Sequence, residues 1–200
     1  MVSSTSAAGP AHDPPPRIDW LPAGDLRDDR PGQLGRLGMT VLPGKHGASM
    51  RYPGRVYRND LVADLQALAE AGVGRLLLLV EDAELGRWGD PDLVAHAAEI
   101  GITVDRHPMP DGDPPSSFDE MDEILDGVSA ARESLNVAVA CMGGVGRTGT
   151  VVACVLVAAG WDPDDAINRV RQVRHPEAVE TPDQEAFVRD WAVGRAVRIV

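Results

Sequence analysis

The sequence predicts a single α/β domain with a central, mostly parallel β-sheet flanked by helices. Three observations carry this expectation. Short continuous apolar runs, such as Leu76-Leu77-Leu78-Leu79-Val80, read as strands buried on both faces of a parallel sheet. Strand-like and helix-like segments alternate along the chain. The 200 residues are 44% hydrophobic and show no internal repeat and no second composition regime, which suits one sizeable core.

Each element has its own local reason. Residues 1–16 are rich in Ser, Ala and Pro and end in Pro14-Pro15-Pro16. They cannot bury enough apolar surface to offset ordering, so a disordered tail is expected there and a domain over 17–200. A short strand is expected at 18–21. Residues 25–36, charged and interrupted by Pro31, Gly32 and Gly35, read as a surface loop. A strand over 37–42 is closed by Pro43-Gly44. Asn59 or Asp60 caps a helix whose Leu61, Leu65, Leu68 and Ala69 share a face, and Gly72 ends it. A strand follows over 75–80. Asp90 caps the next helix with Pro91 at its first position, Gly101 stops it, and 102–106 is a strand.

Residues 109–115 form a Pro-stiffened acidic loop. Ser117 and Glu120 have capping-box spacing for a helix to about residue 135. Residues 136–140 are a strand. The apolar run 150–159 is helical, Asp162-Pro163 opens a helix to about 173, and Thr181-Pro182-Asp183-Gln184 opens the last one.

Charge narrows the function. Lys and Arg number 19 against 31 Asp and Glu, a net charge of −12, so neither nucleic acid nor an anionic membrane is expected as a partner. No apolar stretch reaches ~18 residues, so no transmembrane helix is expected, and the first residues lack the apolar run of a signal peptide. Two cysteines give no disulfide framework. The chain reads as cytoplasmic, where a thiol stays free. The five histidines show no metal spacing, so neither metal nor cofactor is expected.

The chemistry concentrates in Cys141-Met142-Gly143-Gly144-Val145-Gly146-Arg147-Thr148-Gly149. Val137-Ala138-Val139-Ala140 leads into it and an apolar helix leads out. A strand, a glycine-rich turn and a helix in that order build an anion site at the helix N-terminus. Three glycines within four residues cost backbone entropy, and Arg147 at a helix start opposes the macrodipole. A bound dianion resolves both conflicts. It sits on the main-chain groups of Met142, Gly143, Gly144, Val145 and Gly146, and Arg147 grips two of its oxygens. A thiol with pKa near ~8.5 is acidified by a helix N-terminus and a nearby cation, so Cys141 fits a nucleophile that attacks phosphorus. Thr148 is placed to donate to its sulfur.

A Walker-type nucleotide loop needs Lys followed by Ser or Thr, which neither this stretch nor Gly44-Lys45-His46 supplies. The leaving oxygen needs a proton, and Asp111 or Asp113 in the Pro-stiffened loop is the candidate acid. Gln184 has two readings: the far end of a Thr181 capping box, or an amide that orients the hydrolytic water. Cys154 lies about 10 Å beyond Arg147 along the helix, too far to pair with Cys141, and reads as a core thiol.

The loop resembles the signature of protein-tyrosine and dual-specificity phosphatases. The stretches Leu37-Gly38-Met39-Thr40-Val41-Leu42-Pro43-Gly44, Gly101-Ile102-Thr103-Val104, His107-Pro108-Met109-Pro110-Asp111-Gly112 and Cys141 to Arg147 are similar to the cyclin-dependent-kinase-associated branch. The resemblance implies a sheet between helices, a phosphocysteine mechanism without metal, and Asp111 as the acid. It also implies a water-positioning role for Gln184. Ala140 departs from the family, which usually has His there, and implies slower chemistry. Lipid phosphatases of this class add lysines to the loop, whereas this loop carries Met142 and Val145, so a phosphoprotein substrate is favoured. A kinase partner does not carry over. Three functions stand: a phosphoprotein phosphatase, a phosphate-binding adaptor with little turnover, and a small-molecule phosphatase.

Overall fold

The structure, a computed structural model, describes residues 12–27 and 34–198. The elements run β1 (Asp19–Trp20), β2 (Leu37–Val41), β3 (His46–Ala48), β4 (Val56–Arg58), α1 (Leu61–Glu70), β5 (Val73–Leu78), α2 (Asp82–Trp88) and α3 (Leu93–Ile100). They continue with β6 (Thr103–Arg106), α4 (Phe118–Arg132), β7 (Asn136–Cys141), α5 (Gly146–Ala158), α6 (Pro163–Val173) and α7 (Pro182–Arg198).

Five strands form one sheet in the order β1-β2-β7-β5-β6, parallel except for the antiparallel edge strand β1. The expected sheet is therefore present. β7 is central, in register with β2 (Val41 opposite Cys141) and with β5 (Leu78 opposite Ala140). Its interior residues are buried on both faces, which is why Val137 to Ala140 reads as a continuous apolar run. β5 shares that environment: Leu76, Leu77 and Leu78 are buried, as are Leu79 and Val80 beyond its end. Leu65 and Leu68 of α1 are fully buried, each worth about 1.5–3 kcal/mol relative to exposure. α5, α6 and α7 pack together, and Trp191 is buried where α7 meets α4, its Nε1 donating to Asp122 (3.0 Å).

Several expectations need correction. The helix after Asp90 starts later: Asp90 Oδ1 accepts from Asp92 N (2.8 Å), and residues 91–92 form a turn ahead of Leu93. Ser117 does accept from Glu120 N (3.1 Å), but the Glu120 carboxylate bonds Ser116 N and Oγ rather than completing the box. Of the loop expected over 25–36, residues 28–33 lie outside the described ones, and Asp25 is buried against Arg169 (2.8 Å). Residues 1–11 of the expected tail also lie outside. Within 12–16, Asp13 is pinned to β4: its N donates to Arg58 O (3.0 Å) and its carboxylate accepts from Arg58 N (2.9 Å). The β3–β4 hairpin and α2 had no counterpart in the sequence reading.

Candidate active site

β7 ends at Cys141, and the chain turns through residues 142–145 into α5 at the carboxyl end of the parallel strands. Cys141 is buried and is not disulfide-bonded. Gly144 has φ +64, and a Cβ there would stand 2.2 Å from Thr40 O, so this turn admits only glycine. At Gly146 a Cβ would meet Glu180 Oε2 at 2.3 Å. Gly143 has neither constraint. Close packing thus accounts for Gly144 and Gly146 of the glycine cluster.

The loop is held from behind. Arg174 Nε donates to Gly144 O (2.8 Å) and its Nη2 to Gly143 O (3.1 Å), while Nη1 bonds Asp19 (2.6 Å). In a trans peptide C=O and N–H point in opposite directions. With both carbonyls on Arg174, the N–H groups of Gly144 and Val145 face the other side. No side chain caps α5, so its first N–H groups remain available to an anion.

Arg147 is fully buried, one residue into α5. Its Nη1 bonds Glu84 (2.6 Å) and Met109 O (2.8 Å), and its Nη2 bonds Glu84 (2.8 Å) and Asp111 (2.9 Å). The bidentate Glu84 supplies the counter-charge that the macrodipole conflict demands, so a dianion is not the only solution to it. Burial works against the guanidinium's charge, but Glu84, Cys141 and Asp111 outweigh it and raise its pKa. Arg147 Nε is buried with no partner among the described residues.

Asp111 sits on the exposed side of this pair, its side chain 69% accessible, and lines a cavity of about 500 Å³ over the loop. Asp113 does not line that cavity; its carbonyl accepts from Gln184 Nε2 (3.2 Å). Gln184 is fully buried. Its N donates to Thr181 Oγ1 (3.2 Å), as in the capping reading, but its Oε1 accepts from Glu180 N (2.8 Å). Its amide lies 3.2 Å from where a Gly146 Cβ would be, so it packs the acidic loop against the glycine-rich turn. The expected bond from Thr148 to the sulfur is not formed: Thr148 Oγ1 is buried with no partner among the described residues. Ala140 is fully buried in β7. Cys154 is fully buried, and burial pushes its thiol pKa up, as suits a core residue.

Sequence reasoning missed Glu84 and Arg174. A faint signal existed for Glu84: Glu81-x-x-Glu84 has cap spacing, and Glu81 N does donate to Glu84 (2.9 Å). Arg174 had none.

A buried thiol at a strand end, an uncapped helix N-terminus and an arginine six residues on define a cysteine-dependent phosphomonoester hydrolase on an α/β sheet. The family model described as a polymorphic toxin system DSP-PTPase phosphatase matches residues 48–161, and the chain belongs to that family. It is a phosphatase of the dual-specificity class, the recognition that its loop suggested. The chain is 28% identical to cyclin-dependent kinase inhibitor 3 of Rattus norvegicus over 182 residues, 88% of this chain and 79% of the relative. The Homo sapiens protein of that name is 26% identical over 160 residues, 78% of this chain and 71% of the relative. Among solved structures, kinase associated phosphatase with its catalytic-site cysteine changed to serine shares the fold, with TM-score 0.78 and 23% identity, covering 91% of this chain and 97% of that one. Tk-PTP in its active form gives TM-score 0.63 and 27% identity, covering 81% and 97%. Among the described residues, no helix is long and apolar enough to cross a membrane.

Proposed function

We propose that Cys141 is the nucleophile, Arg147 the phosphate-binding cation and Asp111 the general acid in hydrolysis of phosphotyrosine, phosphoserine or phosphothreonine on a protein. One observation carries this reading: the buried Cys141, the loop N–H groups turned away from Arg174 and the partnerless Arg147 Nε belong to one loop, and that loop and Asp111 line one cavity.

The Cys141 thiolate attacks phosphorus as the P–O bond to the substrate breaks, and the departing oxygen takes the Asp111 proton. Water then attacks the phosphocysteine and gives a proton to Asp111, and the S–P bond returns its electron pair to sulfur. The main-chain N–H groups of the loop from Met142 to Arg147 hold the phosphoryl oxygens. In the free protein Asp111 is paired with Arg147; a phosphate dianion competes for that guanidinium and releases the acid. Thr148 Oγ1, buried and one residue beyond Arg147, is a donor for the sulfur as it leaves. Gln184 acts as a positioning residue, holding the Asp111 loop against Gly146. Free thiols fit a reducing compartment, and the cytoplasm is the proposed location.

Hydrolysis of para-nitrophenyl phosphate tests the assignment. Cys141→Ser is expected to lose at least ~10³-fold in kcat. Asp111→Asn is expected to lose the basic limb of the pH–rate profile and Asp113→Asn to keep it. A wild type no faster than Cys141→Ser would leave only an adaptor that binds phosphate without turnover.

A further inference from the structure

The cavity over the loop is larger than one phosphate requires. Its charged lining is Arg17, Lys45, Arg51 and Arg174 against Asp111 and Glu180, a cationic lining on a chain of net charge −12. Three of these cations are already tied to carboxylates, although one Asp19 serves two of them. Arg17 and Arg174 share Asp19, and Arg51 bonds Glu177 and Glu180. Lys45 has no carboxylate partner among the described residues. Its ammonium instead stands 4.0 Å from the centroid of the Tyr57 ring, a cation–π contact that orients it without cancelling its charge.

The backbone that carries Lys45 is fixed. β2 ends opposite Cys141, and Lys45 follows four residues later. Gly44 N donates to the buried Asp64 (2.8 Å), and Lys45 O accepts from Asn59 N (3.0 Å). Lys45 therefore reaches the same cavity as Met142, Gly143 and Asp111 from a rigid support. Burial, with Arg55 beside it, lowers its pKa, while Cys141 and Asp111 oppose that, so the ammonium feels both the nucleophile and the acid.

We propose that Lys45, oriented by Tyr57, is a second anion subsite beside the phosphate loop that selects phosphopeptides carrying another negative group next to the phosphoresidue. This rests on the phosphatase reading above. The loop N–H groups and Arg147 take the scissile phosphate, and Lys45 takes the neighbouring charge. That charge is a carboxylate or a second phosphate, and the subsite explains how an acidic protein retains an acidic substrate.

The test uses fluorescent phosphopeptides in three forms: neutral neighbours, an aspartate on either side, or a phosphoserine on either side. Affinity is read by anisotropy on Cys141→Ser and on Cys141→Ser with Lys45→Met, and kcat/KM on the active proteins. The charged-to-neutral ratio is expected to exceed one in the parent and to fall about tenfold with Lys45→Met, with Lys45→Arg restoring most of it. Taking a ratio removes any effect of partial unfolding. A ratio that Lys45→Met leaves in place, or equal losses on neutral and charged peptides, would overturn the proposal. Because anisotropy needs no turnover, it reports on the subsite even if the catalytic assignment fails.

Discussion

Arg147 is held through its two terminal nitrogens by Glu84, while its Nε stays buried with no partner among the described residues. That arrangement fixes the guanidinium plane before substrate arrives. Both side chains are almost fully enclosed, so removing one charge leaves the other uncompensated, apart from Asp111. Glu84→Gln is therefore expected to cost about 2–3 kcal/mol in urea unfolding and to lower kcat/KM on para-nitrophenyl phosphate about tenfold. An unaltered kcat/KM would show that Arg147 positions itself. Cys141, the glycines and Arg147 were legible at this scale because strand, loop and helix are contiguous. Glu84 was not, since it lies 63 residues away and its own neighbourhood asks only for a helix cap.

At the scale of elements, the junction between β2 and α1 decides where the cavity wall stands. Asp64 is 1% exposed and accepts from Gly44 N and Asn59 Nδ2. Burial raises its pKa from 3.8 to about 6, against those two hydrogen bonds. The sign follows directly. Between about pH 6 and 4 the native state binds this proton before the unfolded chain does, so the contribution of Asp64 to stability grows as pH falls through that window and is absent above it. Wild type is expected to gain roughly 2 kcal/mol relative to Asp64→Asn between pH 7 and pH 4 in urea titrations. A constant difference would mean that Asp64 is not strained by its burial. The β3–β4 hairpin was illegible because three-residue strands with half-exposed faces leave no alternation to read. α2 was missed because it follows an apolar strand with only seven residues.

At the scale of the molecule, the described residues form a single hydrophobic cluster that reaches from Leu21 to Trp191 and includes residues of the sheet and of every helix layer. Three of the four tryptophans sample it, from β1 (Trp20), the turn after α5 (Trp161) and α7 (Trp191), while Trp88 of α2 lines the cavity over the loop. Tryptophan fluorescence and far-UV circular dichroism are therefore expected to report one coincident unfolding transition in urea. Separate midpoints would divide the core.

The fold class and the strand–turn–helix that carries Cys141 and Arg147 were determined by the sequence itself, because apolar period, helix caps and glycine spacing act between near neighbours. The parallel sheet followed from runs such as Val137 to Ala140, which only a doubly covered strand can bury. The tertiary structure alone decided what surrounds the loop: Arg174 behind its carbonyls, Glu84 beneath Arg147, and Lys45 on the cavity wall with Met142 and Asp111. These contacts join segments whose meeting depends on strand order and register, and no local pattern encodes which distant charge a sheet brings to the end of its central strand.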